Sequence, residues 1–296
     1  MLLRNKRCPN KPWDPNLTIA EVQRSPHRAL RWLYRRLTAA QRGLPQVYIA
    51  GVKKGGTTSL FAYLTAHPQV LPPFRKEVKF FLYMYDLGER WYRANFPLQR
   101  HLAGRLTVDA TPNYLFDPFF AQRLMALNPQ ARLIVLLRDP VRRTLSHYFQ
   151  NRARGLEPLP LAEALKAEPR RLAGEVERMR ADVCHSPWKY HRFAYVGESL
   201  YAEQLERLWE HVPREQTLVL RSEDLFADPG ATLREVERFL GLPPWEPEAY
   251  PAFKKGQYRL TAEEEAVAER LRAFFRPHNK RLYALLGREM GWDETP

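Results

Sequence analysis

Cysteine is almost absent from this chain of 296 residues. Cys8 and Cys184 are the only two, so no disulfide framework is implied. No uninterrupted apolar stretch approaches the roughly 18 residues of a membrane-spanning helix. The basic residues at the N-terminus are not followed by the apolar core of a signal peptide. Internal repeats and low-complexity segments are missing as well. Together these absences give the expectation of a soluble, cytoplasmic protein. Acids are outnumbered, 33 against 47 Lys and Arg, for a formal net charge of +14. With a pI near 9.9 the partners are expected to be anionic, a statement about binding and not about fold.

The charge is uneven. Residues 1–44 hold ten Lys/Arg and two acids, a net of +8, which leaves 14 − 8 = +6 for the remaining 252 residues. Pro9, Pro12 and Pro15 make the start irregular. Across 26–44 the positions of Leu30, Leu33, Tyr34 and Leu37 suggest a basic amphipathic helix. Such a helix could touch a membrane surface or an anionic acceptor. The favoured reading packs it on the domain with its arginines in water. The expected organisation is therefore a basic extension, 1–44, followed by one domain, 45–296.

The chain is organised around Gln46 to Leu64. Val47–Ala50 reads as a short buried strand, and the run breaks at Gly51-Val52-Lys53-Lys54-Gly55-Gly56. A helix with Leu60, Phe61 and Leu64 on one face starts near Thr57. A strand, a glycine turn and a helix N-terminus form an anion trap, because the first helical amides have no intrahelical partner. Gly55 and Gly56 are expected to let the backbone approach a phosphate. The spacing of Gly51, Gly56 and Thr58 matches the nucleoside-triphosphate loop, but Thr57 stands where that loop has lysine. The lysines come earlier, at 53 and 54.

A second signal is Ala131 to Pro140, ARLIVLLRDP. Its apolar run suits a central parallel strand covered on both faces. Arg138 falls at the C-terminal end, where open α/β sheets bind ligands. A guanidinium fork suits a phosphate there, the bland reading being an ordinary ion pair. Ser146 lies eight residues on, in the following helix, and Arg142, Arg143, Arg152 and Arg154 are read as continuing a basic face.

GVKKGGTTSL resembles the 5′-phosphosulfate loop of sulfotransferases, and more narrowly that of the carbohydrate branch typified by heparan sulfate glucosaminyl sulfotransferases. The resemblance covers roughly Gln46 to Trp292. It implies the donor 3′-phosphoadenosine-5′-phosphosulfate (PAPS), with product 3′,5′-diphosphoadenosine. It also implies that Lys54 and the loop residues Gly55, Gly56, Thr57, Thr58 and Ser59 hold the phosphosulfate. Arg138 and Ser146 match the family's 3′-phosphate site, and Lys255-Gly256 matches a loop that folds over that phosphate. Lys76-Glu77-Val78-Lys79-Phe80-Phe81 matches a segment whose glutamate takes the acceptor's proton. On spacing alone, Glu77 could equally sit in a charged loop before a buried Phe-Phe anchor. The family usually has lysine where this chain has Ala110, and that lysine contacts donor and acceptor. Its absence leaves Lys54 with more of the charge. Asp109 either holds the loop or faces the acceptor.

Cys184 to Phe193 mixes aromatics with bases and suits either a ring-stacking surface or a partly buried loop. One cysteine and two histidines there do not make a metal site. His67 reads as a helix cap. Two helices, Thr261–Phe275 and Pro277–Leu286, are expected to close the chain. Strands alternate with helices, so the expected fold is α/β, a P-loop-type three-layer arrangement with a central parallel sheet flanked by helices. The expected activity is in-line sulfuryl transfer from PAPS to a hydroxyl or amine, with Glu77 and Lys54 catalytic and no metal. A saccharide or another small molecule is the expected acceptor, and no nucleic acid is expected. The alternatives are sulfation of a small phenol or alcohol, an ATP-dependent phosphotransferase, and a non-catalytic module binding acidic polymers.

Overall fold

The computed structural model describes residues 25–251 and 258–293. Among them five strands form one all-parallel sheet in the order β2-β3-β1-β4-β5. They are β1 Val47–Gly51, β2 Val70–Leu71, β3 Leu106–Ala110, β4 Arg132–Leu137 and β5 Thr217–Arg221. The helices that matter below are α1 Pro26–Leu37, α2 Thr57–Ala66, α3 Phe120–Leu127, α4 Pro140–Ala153, α5 Leu161–Leu172, α6 Trp188–Phe193, α7 Tyr201–Trp209, α8 Pro229–Leu240 and α9 Ala262–Leu286. None of them is long and apolar enough to cross a membrane.

Both faces of the sheet are covered, which is why β1 and β4 read as unbroken apolar runs. Side chains alternate across each strand. Tyr48, Ala50, Leu133, Val135 and Leu137 enter a core layer with Phe81, Leu205 and Leu208. Val47, Ile49, Ile134 and Leu136 enter the opposite layer with Leu60, Leu64, Leu233 and Val236. The three-layer α/β fold expected from the sequence is the fold observed. Strand order places β1 beside β4, so the crevice beyond their C-terminal ends is where α/β sheets bind ligands.

Several expectations need correction. Arg143 is not part of an exposed basic face. It is fully buried, its Nη1 lies 3.0 Å from Glu198, and it donates to Ser199 Oγ and the Tyr195 carbonyl. The last two helices are one, α9, with Pro277 inside it. Packing of Phe275 and Asn279 on either side of the proline holds the helix together despite the missing amide. Cys184 is disulfide-bonded rather than a free thiol. His67 caps α2 as expected, held between the Pro243 carbonyl and the Gln69 amide.

Removing Arg143 leaves Glu198 charged in a site 1% exposed. Arg143→Met is expected to cost about 3–5 kcal/mol of stability, read from urea unfolding. A loss below roughly 1 kcal/mol would mean that the pair behaves like a surface ion pair.

Candidate active site

The loop after β1 is pinned from three sides. The Val52 amide donates to Leu136 O at 2.8 Å, which ties the loop to β4. Ser222 Oγ, just past β5, donates to Gly55 O at 2.6 Å. Arg138 Nη1 donates to Lys54 O at 2.9 Å, which joins the two phosphate signals of the sequence directly. Among the described residues no carboxylate lies within ion-pair distance of Arg138, so the ordinary ion-pair reading fails.

The two glycines serve different needs. A Cβ at Gly55 would lie 2.8 Å from Leu136 O, so this glycine lets the loop close on β4 and does not make room for a ligand. Its amide is also spent, on Val52 O at 2.9 Å. Gly56 has φ +91°, a conformation that a side chain resists, and it starts α2. The Ser59 amide donates to Gly56 O at 2.9 Å. The amides of Gly56, Thr57 and Thr58 have no acceptor among the described residues, and all three residues line the cleft. The anion cradle is therefore three amides wide, without those of Gly55 and Ser59.

The adjacent lysines divide. Lys54, at φ +72°, lines the cleft. Lys53 also lines the cleft, but its ammonium is tied to the wall, with Nζ 2.6 Å from His147 Nε2 and 3.3 Å from the His191 carbonyl. Burial pulls its pKa down to about 8. Burial and the neighbouring cations hold His147 neutral, so its imidazole accepts from the ammonium. Ser146 lies on α4, whose first turn Asp139 caps by accepting from the Arg142 amide at 2.9 Å.

Lys54, Glu77, Arg138 and Ser146 line one cleft of about 830 Å³. Lys255 and Gly256 lie outside the described residues. Glu77 is held between two ammonium groups, Lys79 at 3.5 Å and Lys76 at 3.8 Å. Lys76 Nζ also donates to Thr58 Oγ1 at 2.8 Å, so the carboxylate's loop is stitched to the anion loop. Glu77 and Lys79 have φ of +56° and +59°, a strained pair that surrounding structure must enforce.

Asp109 provides that enforcement and does not line the cleft. It is fully buried at the end of β3. It accepts from Tyr92 Oη at 2.9 Å, Tyr114 Oη at 2.8 Å and Thr111 Oγ1 at 2.9 Å, and from the Val78 amide between Glu77 and Lys79. Tyr92 stacks on Phe80 at 4.4 Å, and Tyr114 meets Phe81 edge-on. Burial raises the Asp109 pKa to about 6 despite these donors. Ala110 is 1% exposed within the apolar layer and contributes nothing charged to the cleft.

The Cys184–Phe193 segment does both things its composition allowed. Trp188 is 45% exposed and lines the cleft with Arg192, whose guanidinium lies 5.2 Å from the ring. His191 is buried, with Nε2 3.4 Å from Asp117. Sequence reasoning missed Ser222, Asn113 and Phe226. Asn113 lines the cleft and donates to Glu198 at 2.9 Å, and Phe226 is half exposed beside Gly56. Their partners are far away in the chain, so no local pattern marks them. Lys76 stood beside Glu77 in the sequence and could have been singled out.

A strand, a glycine loop and a helix N-terminus at the crevice of a parallel sheet define a phosphate-binding-loop α/β protein. The chain belongs to the sulfotransferase family, since the family model described as "Sulfotransferase domain" matches residues 44–266. It is 32% identical to heparan sulfate glucosamine 3-O-sulfotransferase 6 of Mus musculus, over 97% of this chain and 86% of that protein. It is 33% identical to heparan sulfate glucosamine 3-O-sulfotransferase 3B1 of the same organism, over 86% of this chain but 66% of the relative. Among solved structures, a sulfotransferase from Alicyclobacillus acidocaldarius superposes with a TM-score of 0.62 at 28% identity, over 86% of this chain and all of that one.

Asp109 generates a signed pH dependence. Its folded pKa, about 6, lies above the unfolded value near 3.8, so the folded state holds the extra proton between them. Stability therefore rises as pH falls through 6 and is reduced at neutral pH. The wild-type minus Asp109→Asn stability difference should grow by up to about 3 kcal/mol between pH 7 and pH 4. Urea midpoints across that range measure it, and a flat difference would contradict it.

Proposed function

We propose that the chain transfers a sulfuryl group from PAPS to a hydroxyl or amine of a carbohydrate acceptor, with Glu77 as general base. The observation that carries this reading is the shared cleft. An anion cradle, a guanidinium lacking a carboxylate partner among the described residues and a carboxylate all line one space large enough for a nucleotide and a sugar ring. The residues suit PAPS. Three amides without an acceptor among the described residues, with Lys54, fit the 5′ end, and Arg138 with Ser146 fits the 3′-phosphate across the crevice. Lys255 and Gly256 are proposed to add to that phosphate site.

The donor supplies an activated sulfuryl group. Glu77 removes the proton from the acceptor as the new bond to sulfur forms, and the sulfur–oxygen bond to the phosphate breaks. Lys54 and the amides of Gly56, Thr57 and Thr58 stabilise the negative charge that collects on the departing phosphate oxygen. Lys76 and Lys79 orient Glu77, and Lys79 keeps a further cation on the cleft wall. The relatives' names favour a saccharide, and Trp188 with Arg192 offers a ring face and a cation on the open side of the cleft. A disulfide at Cys184 fits an oxidising setting better than the reducing cytoplasm expected from the scarcity of cysteine.

Glu77→Gln should bind 3′,5′-diphosphoadenosine within about twofold of wild type while turnover falls roughly 10²–10⁴-fold. Calorimetry and a labelled-donor assay over saccharides and small phenols measure the two quantities. Near-normal turnover would place the base elsewhere, and transfer to phenols alone would remove the carbohydrate assignment. Arg138→Lys should weaken 3′,5′-diphosphoadenosine about 10–100-fold, because a point charge replaces the fork. Binding of adenosine 5′-phosphosulfate, which lacks the 3′-phosphate, should fall by clearly less, since it loses only the pinning of the Lys54 carbonyl. Equal losses for both nucleotides would mean that Arg138 does not read the 3′ end.

A further inference from the structure

Helix α1 is docked on the domain and still leaves an apolar stripe in water. Ala29 and Trp32 face inward and are buried, and Trp32 meets Trp91 edge-on with centroids 5.8 Å apart. Arg42 fastens the far end by donating to the Arg35 carbonyl at 3.2 Å and to Thr38 Oγ1 at 2.9 Å. A surface helix anchored by one face ordinarily turns polar side chains outward. Here Leu30, Leu33, Tyr34 and Leu37 are 67%, 43%, 53% and 71% exposed. Their i, i+3, i+4, i+7 spacing aligns them in one stripe. Successive residues turn by about 100°, which sets the exposed His27, Arg28 and Arg31 along the next sector of the helix, with Arg35 at its edge turned back over Phe74 at 4.5 Å. No Asp or Glu occurs anywhere from Val22 to Lys76, so the sequence nearby supplies no acid to this row.

We propose that α1 seats the protein on an anionic lipid surface, with the leucine stripe inserted at the headgroup boundary and the arginines among the headgroups. Charge decides between occupants. A second copy would bring the same basic row against itself across a two-fold axis, without acids to compensate. A lipid surface of opposite charge takes both the stripe and its flank. The residues of the stripe lie outside the cleft, so this seat is independent of the donor and acceptor chemistry.

The test uses the full-length protein and vesicles of phosphatidylcholine, either alone or with about 30 mol% phosphatidylserine. Cosedimentation should show binding to the anionic vesicles at least roughly tenfold above the neutral ones, falling in about 0.5 M salt. The double variant Leu30→Ser/Leu37→Ser should lose roughly tenfold or more of that binding. Its unfolding midpoint and its affinity for 3′,5′-diphosphoadenosine should stay at wild-type values, because both leucines are exposed. The proposal is overturned if anionic vesicles are not bound, or if the double variant binds as well as wild type. It is also overturned if sedimentation equilibrium finds a wild-type dimer that the double variant dissolves, since the stripe then belongs to a second copy.

Discussion

The hydrogen bond from Arg138 to the Lys54 carbonyl is the contact on which the site depends. It spans the C-terminal ends of two adjacent strands and fixes the distance between the two groups proposed above to hold opposite ends of one nucleotide. It exists because β1 and β4 are neighbours and because the loop after β1 folds back onto β4. Gly55 permits that fold-back, since its backbone lies against Leu136 O where no Cβ fits. A side chain at 55 would push the loop off the strand and separate the two cups without touching any ligand.

A second framework holds the other half of the cleft. Asp109 gathers two tyrosine hydroxyls, a threonine and the Val78 amide, and the tyrosine rings carry Phe80 and Phe81. Left-handed backbone at Glu77 and Lys79 is costly for ordinary residues and persists because the residues beside it are locked. The carboxylate is thus placed by the core rather than by its own loop. Burial of Asp109 works against stability at neutral pH, which is a known cost of holding a functional geometry.

Much of this was legible in the sequence, and for physical reasons. The apolar runs of β1 and β4 could only be strands covered on both faces, and glycines before Thr57 could only open a helix. Arg138 was readable because it ends such a run. The carboxylate at 77, which lines the cleft, was singled out only through resemblance, since a charge among charges carries no local meaning. What stayed hidden was long-range. Ser222 meets Gly55 across 167 residues, and Arg143, read as surface, is swallowed by Glu198 and the backbone of Tyr195. Helix α9 runs through Pro277 because its neighbours on the domain hold it, which no local propensity reveals.

Lys79 and Glu77 share one short segment, while β3 ends in a small apolar residue. In the proposed reaction, attack on the sulfur calls for a proton acceptor and a nearby positive field, and both are assigned to the same piece of backbone. An acceptor pressing on this segment bears on both at once, because the buried framework around Asp109 holds their mutual spacing. In that proposed reaction, substrate discrimination acts through a single mechanical coordinate, the position of one short, strained segment.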